Sequence, residues 1–131
     1  MSNVPSDLQY TKNHEWVRRL PNGQVEIGIT DHAQSALGDL VFVEIPEVGR
    51  RLLAGEACAV VESVKAASDV YSPVNGKVLA GNPDLASRPE LLNQDPYAAG
   101  WLIRIELDSP IAASTLMNAA EYAQQLAAEA T

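Results

Sequence analysis

The residue whose setting most invites chemistry is a lysine. Lys65 lies between two β-prone arms, Val60-Val61-Glu62-Ser63-Val64 and Ser68-Asp69-Val70-Tyr71-Ser72-Pro73, and is followed by Ala66 and Ala67. Such a segment reads as a hairpin with the lysine at its tip. A flexible four-carbon stem ending in an amine would project from the sheet there, and the small neighbours would leave it open to a modifying enzyme. The chemistry on offer is covalent attachment through the ε-amine. Read locally, the hairpin is weak evidence, because most turn lysines are solvated charges.

Other reactive residue types do not assemble into a site. His14 and His32 are the only histidines, and the sequence shows no converging partners for a metal or acid/base role, so packing or surface roles are expected and no metal is assigned. Cys58 sits among Ala57, Ala59 and Val60, where a small buried hydrophobe is the better reading than a nucleophile. As the only cysteine it excludes an intramolecular disulfide and any multi-cysteine zinc or iron–sulfur site. No Ser/His/Asp order, phosphate-binding glycine loop or carboxylate pair points to intrinsic catalysis. On these residues the chain is not expected to be an enzyme.

Composition sets the outer bounds. With 131 residues, 47% of them hydrophobic, the chain has the size and apolar content for one domain with its own core. A formal net charge of −8, spread from Asp7 to Glu129, argues against nucleic acid as a partner. No run of eighteen apolar residues suggests a membrane span. The opening Met1 to Gln9 stretch shows neither an apolar export signal nor an Arg-rich transit peptide, so a cytoplasmic location is expected.

The elements that must hold Lys65 are mostly strands. Val25, Ile27 and Ile29 alternate with Gln24, Glu26 and Gly28, the period-two pattern of a sheet with one buried face. Val41, Val43 and Ile45 share a face, as do Trp101, Ile103, Ile105 and Leu107 opposite Arg104, Glu106 and Asp108. Trp16 and Trp101 are expected in the core. Turn signals at Pro21-Asn22-Gly23, Gly49, Gly55, Pro73 to Gly76 and Gly81 to Pro83 favour a small barrel or sandwich. Thr30 or Asp31 can cap a short helix ending before Gly38, and Asn118 with Glu121 resembles a capping box. The helix that follows carries Tyr122 and Leu126 on one face and is expected to dock outside the sheet core. Residues 82–100, with three prolines, read as an ordered loop with a helical turn.

The wording around the lysine adds a resemblance. Glu62-Ser63-Val64-Lys65-Ala66 followed by Ser72-Pro73-Val74-Asn75-Gly76 resembles the lipoyl-attachment signature of glycine cleavage H proteins. The likeness extends through Tyr10-Thr11-Lys12-Asn13-His14-Glu15-Trp16-Val17, Gly28 to Gln34, Leu37 to Pro46, Pro89 to Asn93, Asp95-Pro96-Tyr97 and Gly100 to Ile103. It implies a mainly β fold, the barrel-sandwich hybrid of lipoyl (hammerhead) domains, with short flanking helices and a C-terminal helix. The expected layout is a single domain over 1–131, its core at about 8–108 and its last helix at about 118–128.

The resemblance also implies a function: lipoate joined covalently to Lys65, giving an arm of roughly 12 to 15 Å. That arm would carry an aminomethyl group from glycine decarboxylase (P protein) to a tetrahydrofolate-dependent aminomethyltransferase (T protein). Dihydrolipoamide dehydrogenase (L protein) would reoxidise the dithiol, and lipoate-attaching enzymes would install the cofactor. By the same resemblance Glu15 and Asp69 match positions that receive the loaded arm, and Glu62 and Gly76 match positions read during lipoylation. On structural grounds alone, Gly76 suits a turn needing positive φ and Glu62 a solvent-facing strand position. Transient partners lead us to expect small polar contact surfaces near the hairpin. Biotinyl and 2-oxo acid dehydrogenase lipoyl domains fit less well, since Lys65 is flanked by Val64 and Ala66 instead of methionines or a preceding Asp. A lipoate donor that supplies other enzymes is the remaining alternative role.

Overall fold

Alternating and β-branched residues form nine short strands in the computed structural model, which describes residues 3–111 and 116–129. In chain order they are β1 (Gln9–Tyr10), β2 (Glu15–Leu20), β3 (Gln24–Ile29), β4 (Leu40–Glu44), β5 (Arg51–Leu52), β6 (Ala57–Ser63), β7 (Ala67–Tyr71), β8 (Gly76–Gly81) and β9 (Ile103–Leu107). The helices are α1 (Asp31–Leu37), α2 (Leu91–Gln94) and α3 (Ala119–Glu129), and a 3-10 turn covers Pro83–Ala86. The strands pair antiparallel in two sheets, a six-stranded one ordered β1-β2-β3-β9-β8-β5 and a three-stranded one ordered β4-β6-β7. The mainly β class with a C-terminal helix is as expected. The sheets do not close into a barrel: each ends in edge strands, β1 and β5 in one, β4 and β7 in the other. No helix among the described residues is long and apolar enough to cross a membrane.

The main core lies between the sheets. Val17, Val25, Ile27, Ile103, Ile105 and Val78 from the large sheet meet Leu40, Val43, Val61 and Val70 from the small one. The expectation of one buried face per strand fails at β3, where Glu26 and Gly28 are buried as well. The outer face of β2 and β3 carries a second cluster of Leu8, Tyr10, Trp16, Tyr97 and Tyr122. Gly28 accepts the Trp16 indole directly against its backbone, where a Cβ would stand 2.6 Å from three indole atoms. Glu26 can be buried because Arg18 Nη1 and Arg104 Nε donate to its two oxygens at 2.7 and 3.0 Å.

Two tryptophans expected in the core part company. Trp16 is fully buried, with its Nε1 donating to Pro96 O at 2.9 Å. Trp101 is only partly buried and lies before β9 begins, beneath the Arg104 guanidinium at 4.1 Å. The stretch before β9 is not yet paired as a strand, so parity does not carry back to Trp101. Val41 also departs from its expected face: an irregularity between Leu40 and Phe42 breaks the β4–β6 register, leaving both Val41 and Phe42 exposed while Val43 is buried.

The helix caps follow the sequence. Thr30 is the N-cap of α1, its Oγ1 accepting from Ala33 N at 3.2 Å, and Asp31 occupies the first turn. Asn118 and Glu121 exchange hydrogen bonds, Glu121 N to Asn118 Oδ1 at 2.8 Å and Asn118 N to Glu121 Oε1 at 2.9 Å. The helix they open docks outside the main core, at the β1 edge, through Tyr122 stacked on Tyr10 with centroids 4.6 Å apart. The 82–100 stretch holds the 3-10 turn and α2, in line with an ordered loop containing helical turns.

Candidate functional site

The β6–β7 hairpin pairs Glu62 with Ala67, which leaves Lys65 in the connecting turn. Ser63 organises that turn with its backbone and hydroxyl together. Ser63 N donates to Ala66 O at 2.8 Å, and Ser63 Oγ accepts from Lys65 N at 3.2 Å and Ala66 N at 3.1 Å. A second strap runs from Val64 N to Asp39 O at 3.1 Å, tying the tip to the start of β4. The backbone of Lys65 is therefore fixed while its side chain is exposed. The stem passes Gly38, whose φ is +86° and where a Cβ would stand 3.3 Å from Lys65 Cε. Only glycine gives that backbone conformation without strain and leaves the stem unobstructed.

Beyond the tip, β7 carries Ala67, Asp69 and Tyr71 on one side, by strand alternation. Glu15, at the start of β2, meets the far end of that strand. Its carboxylate is buried at 3% exposure, with Oε2 accepting from Tyr71 N at 3.2 Å and Oε1 accepting from Thr11 Oγ1 at 2.5 Å. Burial holds the Glu15 carboxyl above the usual range, opposed by the two hydrogen bonds. Glu15 lines a cavity of about 580 Å³ with Thr11, Asn13, Gly55, Tyr71 and Met117. A cationic amine entering it would meet a carboxylate already fixed by two hydrogen bonds.

Asp69 is exposed and borders a separate hollow of about 430 Å³ with Glu44, Arg50 and Cys58. The fold thus places Asp69 on β7 and Glu15 against the far end of that strand, in two different concavities. Asp69 is at most about 14 Å from Lys65 by chain length, within reach of an arm of that order. Thr11 was not among the residues singled out from the sequence. Its role comes from a tight turn, Thr11 N to Glu15 O at 3.0 Å, which brings its hydroxyl back onto the carboxylate.

Glu62 is half-buried in β6, between Phe42 and Ala67. Gly76 does not have the positive φ expected of a turn glycine. It opens β8, pairs with Leu52 and Leu107, and approaches β9 so closely that a Cβ would collide with Glu106 O and Ile105 Cγ2. Close strand approach, not turn geometry, excludes a side chain there.

The surface beside Lys65 is less polar than expected. Val41, Phe42 and Val64 are exposed at 53%, 52% and 72%, at the end of the small sheet where the lysine turn lies. Cys58 is a buried thiol that donates to Val70 O at 3.3 Å, and burial pushes it up to about 12, as suits a packing residue.

The histidines do converge, contrary to what their spacing suggested. His14 Nε2 lies 3.3 Å and His32 Nε2 3.9 Å from Glu129 Oε1. His14 belongs to the β1–β2 turn, His32 to α1 and Glu129 to the end of α3, so no local motif could announce the cluster. Burial holds His14 below the usual imidazole range, against the pull of Glu129.

Comparison with known proteins is consistent across sequence and structure. Residues 8–129 match the family described as Glycine cleavage H-protein. A glycine cleavage system H protein of Halorhodospira halophila is 57% identical over 129 residues, covering 98% of this chain and 99% of the relative. One from Aeromonas hydrophila is 56% identical over 122 residues, covering 93% and 95%. The crystal structure of a glycine cleavage system H protein from Mycobacterium marinum superposes with a TM-score of 0.86 at 41% identity, over 95% of this chain and 99% of that one.

Proposed function

The chain belongs to the glycine cleavage H-protein family, the non-catalytic lipoyl carriers of the glycine cleavage system, and from that premise we propose that Lys65 bears the lipoyl group. The observation that carries this reading is the exposed Lys65 side chain on a backbone fixed by Ser63 and Asp39, with Gly38 clearing its stem. A rigid base with an open amine is what an acylating enzyme needs, and acylation removes a charge that forms no ion pair among the described residues. When bound, the lipoyl group supplies a disulfide that can take up an aminomethyl fragment with two electrons.

Glu15 is the residue we assign to holding the amine of the loaded arm. Its carboxylate is oriented from both sides, by Thr11 and Tyr71, so it meets a cation without rearranging. Asp69, on the strand between Lys65 and that cavity, would attract the same amine on its way. Glu62 and Gly76 shape the hairpin and its support for the lipoate-attaching enzyme, Gly76 through close packing of β8 against β9.

The partners we propose are glycine decarboxylase, the tetrahydrofolate-dependent aminomethyltransferase and dihydrolipoamide dehydrogenase. Tethering makes each delivery an intramolecular search, with effective concentrations of order millimolar. Val41, Phe42 and Val64 around the lysine supply apolar contact for brief docking, within an otherwise acidic surface. The test is reconstitution with glycine decarboxylase, measuring exchange of labelled bicarbonate into glycine. The lipoylated parent should support exchange and Lys65→Arg should not; exchange supported equally by the variant would refute the assignment.

A further inference from the structure

We propose that His14, His32 and Glu129 form a binding site for one divalent transition-metal ion of the zinc class, which fastens the C-terminal helix to the turn bordering the Glu15 cavity. The ligand atoms of the three residues lie within 4.8 Å of one another, with His14 Nε2 3.3 Å and His32 Nε2 3.9 Å from Glu129 Oε1. Zinc bonds of about 2.0 to 2.2 Å in a tetrahedron place ligand atoms roughly 3.3 Å apart. One pair already has that separation, and the other contacts need to close by about 1.5 Å or less, which side-chain rotation at partly exposed positions can supply. The two imidazoles and one carboxylate are a donor set suited to zinc, with water free to complete the shell from the open side.

Neighbouring groups hold the ligands in place, as they do around metal sites generally. His14 Nδ1 is 2.8 Å from Tyr122 Oη, which is itself 2.7 Å from Thr30 Oγ1. If Nδ1 donates to Tyr122 and Tyr122 donates to Thr30, the lone pair of His14 Nε2 is left facing Glu129. Glu129 Oε2 accepts from Gln125 Nε2 at 2.7 Å, and the same amide donates to Lys12 O at 3.0 Å, so Oε1 is turned to both histidines. His14 is kept at φ +70°, a conformation uncommon for any residue other than glycine. The rings of His14 and His32 stand 4.6 Å apart, close enough for both to reach one ion. Glu129 also sits at the C-terminal end of α3, where the helix dipole favours a cation.

The consequence is mechanical. Each ligand comes from a different element, so an ion here would join α3, α1 and the β1–β2 turn. That turn and the first residue of β2 contribute Thr11, Lys12, Asn13 and Glu15 to the cavity.

The test is titration of the untagged full-length chain, without lipoylation, with Zn²⁺ against a chromophoric chelator, alongside thermal unfolding. The expected result is one ion per chain, a raised melting temperature, and affinity about tenfold or more weaker in His32→Gln and in Glu129→Gln. Those two positions are exposed enough that the variants should fold like the parent. Tyr122→Phe, which keeps the stack on Tyr10, should also weaken binding about tenfold or more. Failure to bind one ion, or binding that survives both His32→Gln and Glu129→Gln, would overturn the proposal.

Discussion

Glu15 Oε2 accepts the backbone N–H of Tyr71 at 3.2 Å, so a buried carboxylate at the start of β2 is joined to the strand that leads away from Lys65. This bond links residues 56 apart in the chain and fixes one wall of the cavity. Burial carries a cost, because it disfavours the charge of Glu15 against the pull of the two hydrogen bonds.

Stability should record that cost as a pH dependence. The folded carboxyl titrates above its unfolded value, so the folded state holds more protons in that window. The contribution of Glu15 is therefore fully present below the unfolded pKa and lost as pH rises through the folded one. Glu15→Gln lacks this loss. Urea unfolding at pH 4 and pH 7 should show the variant gaining relative to the parent as pH rises, and an unchanged difference would contradict it.

Ser63→Ala should act on modification more than on the fold. Removing the hydroxyl frees the N–H groups of Lys65 and Ala66 in an exposed turn, at about 1 kcal/mol or less. Because the tip is no longer held, the initial rate of lipoylation, followed by intact mass, should fall while the melting temperature moves little. A normal rate would show that turn order is not needed by the attaching enzyme.

Gly76→Ala should damage the sheet itself. A Cβ there runs into Glu106 O and Ile105 Cγ2, between two paired strands that cannot both retreat. A loss of about 1 to 3 kcal/mol in chemical unfolding is expected. Parent-like stability combined with failed lipoylation would instead make Gly76 a recognition residue.

Phe42→Ser and Val64→Ser test the apolar rim of the lysine turn. Both side chains are largely exposed, so stability should stay within about 0.5 kcal/mol of the parent. Turnover with glycine decarboxylase should fall through a raised apparent KM for the carrier. Unchanged kinetics would place docking elsewhere.

Much of this architecture could be read from the chain, and the exceptions have physical causes. The capping box of α3 and the Thr30 cap of α1 are local hydrogen-bond patterns, so short windows contain them. The β3 pattern misled because Glu26 looks solvent-facing until Arg18 and Arg104, from the flanking strands, close over it. Val41 escaped its expected face through a register irregularity that alternation cannot encode. At the site, Lys65 was legible from its turn and its wording. Thr11 beside Glu15, the division of Glu15 and Asp69 between two hollows, and the meeting of His14, His32 and Glu129 all depend on how distant segments pack.

The most direct test of the central claim is the intact mass of the protein made with lipoate and a competent lipoate-attaching enzyme, comparing the parent with Lys65→Arg. Lys12 and Lys77 are exposed too and remain in the variant as internal controls. A single lipoyl increment on the parent and none on Lys65→Arg is the expected result. An increment that survives the substitution, or a parent that acquires none, would contradict the assignment of Lys65 as the carrier residue.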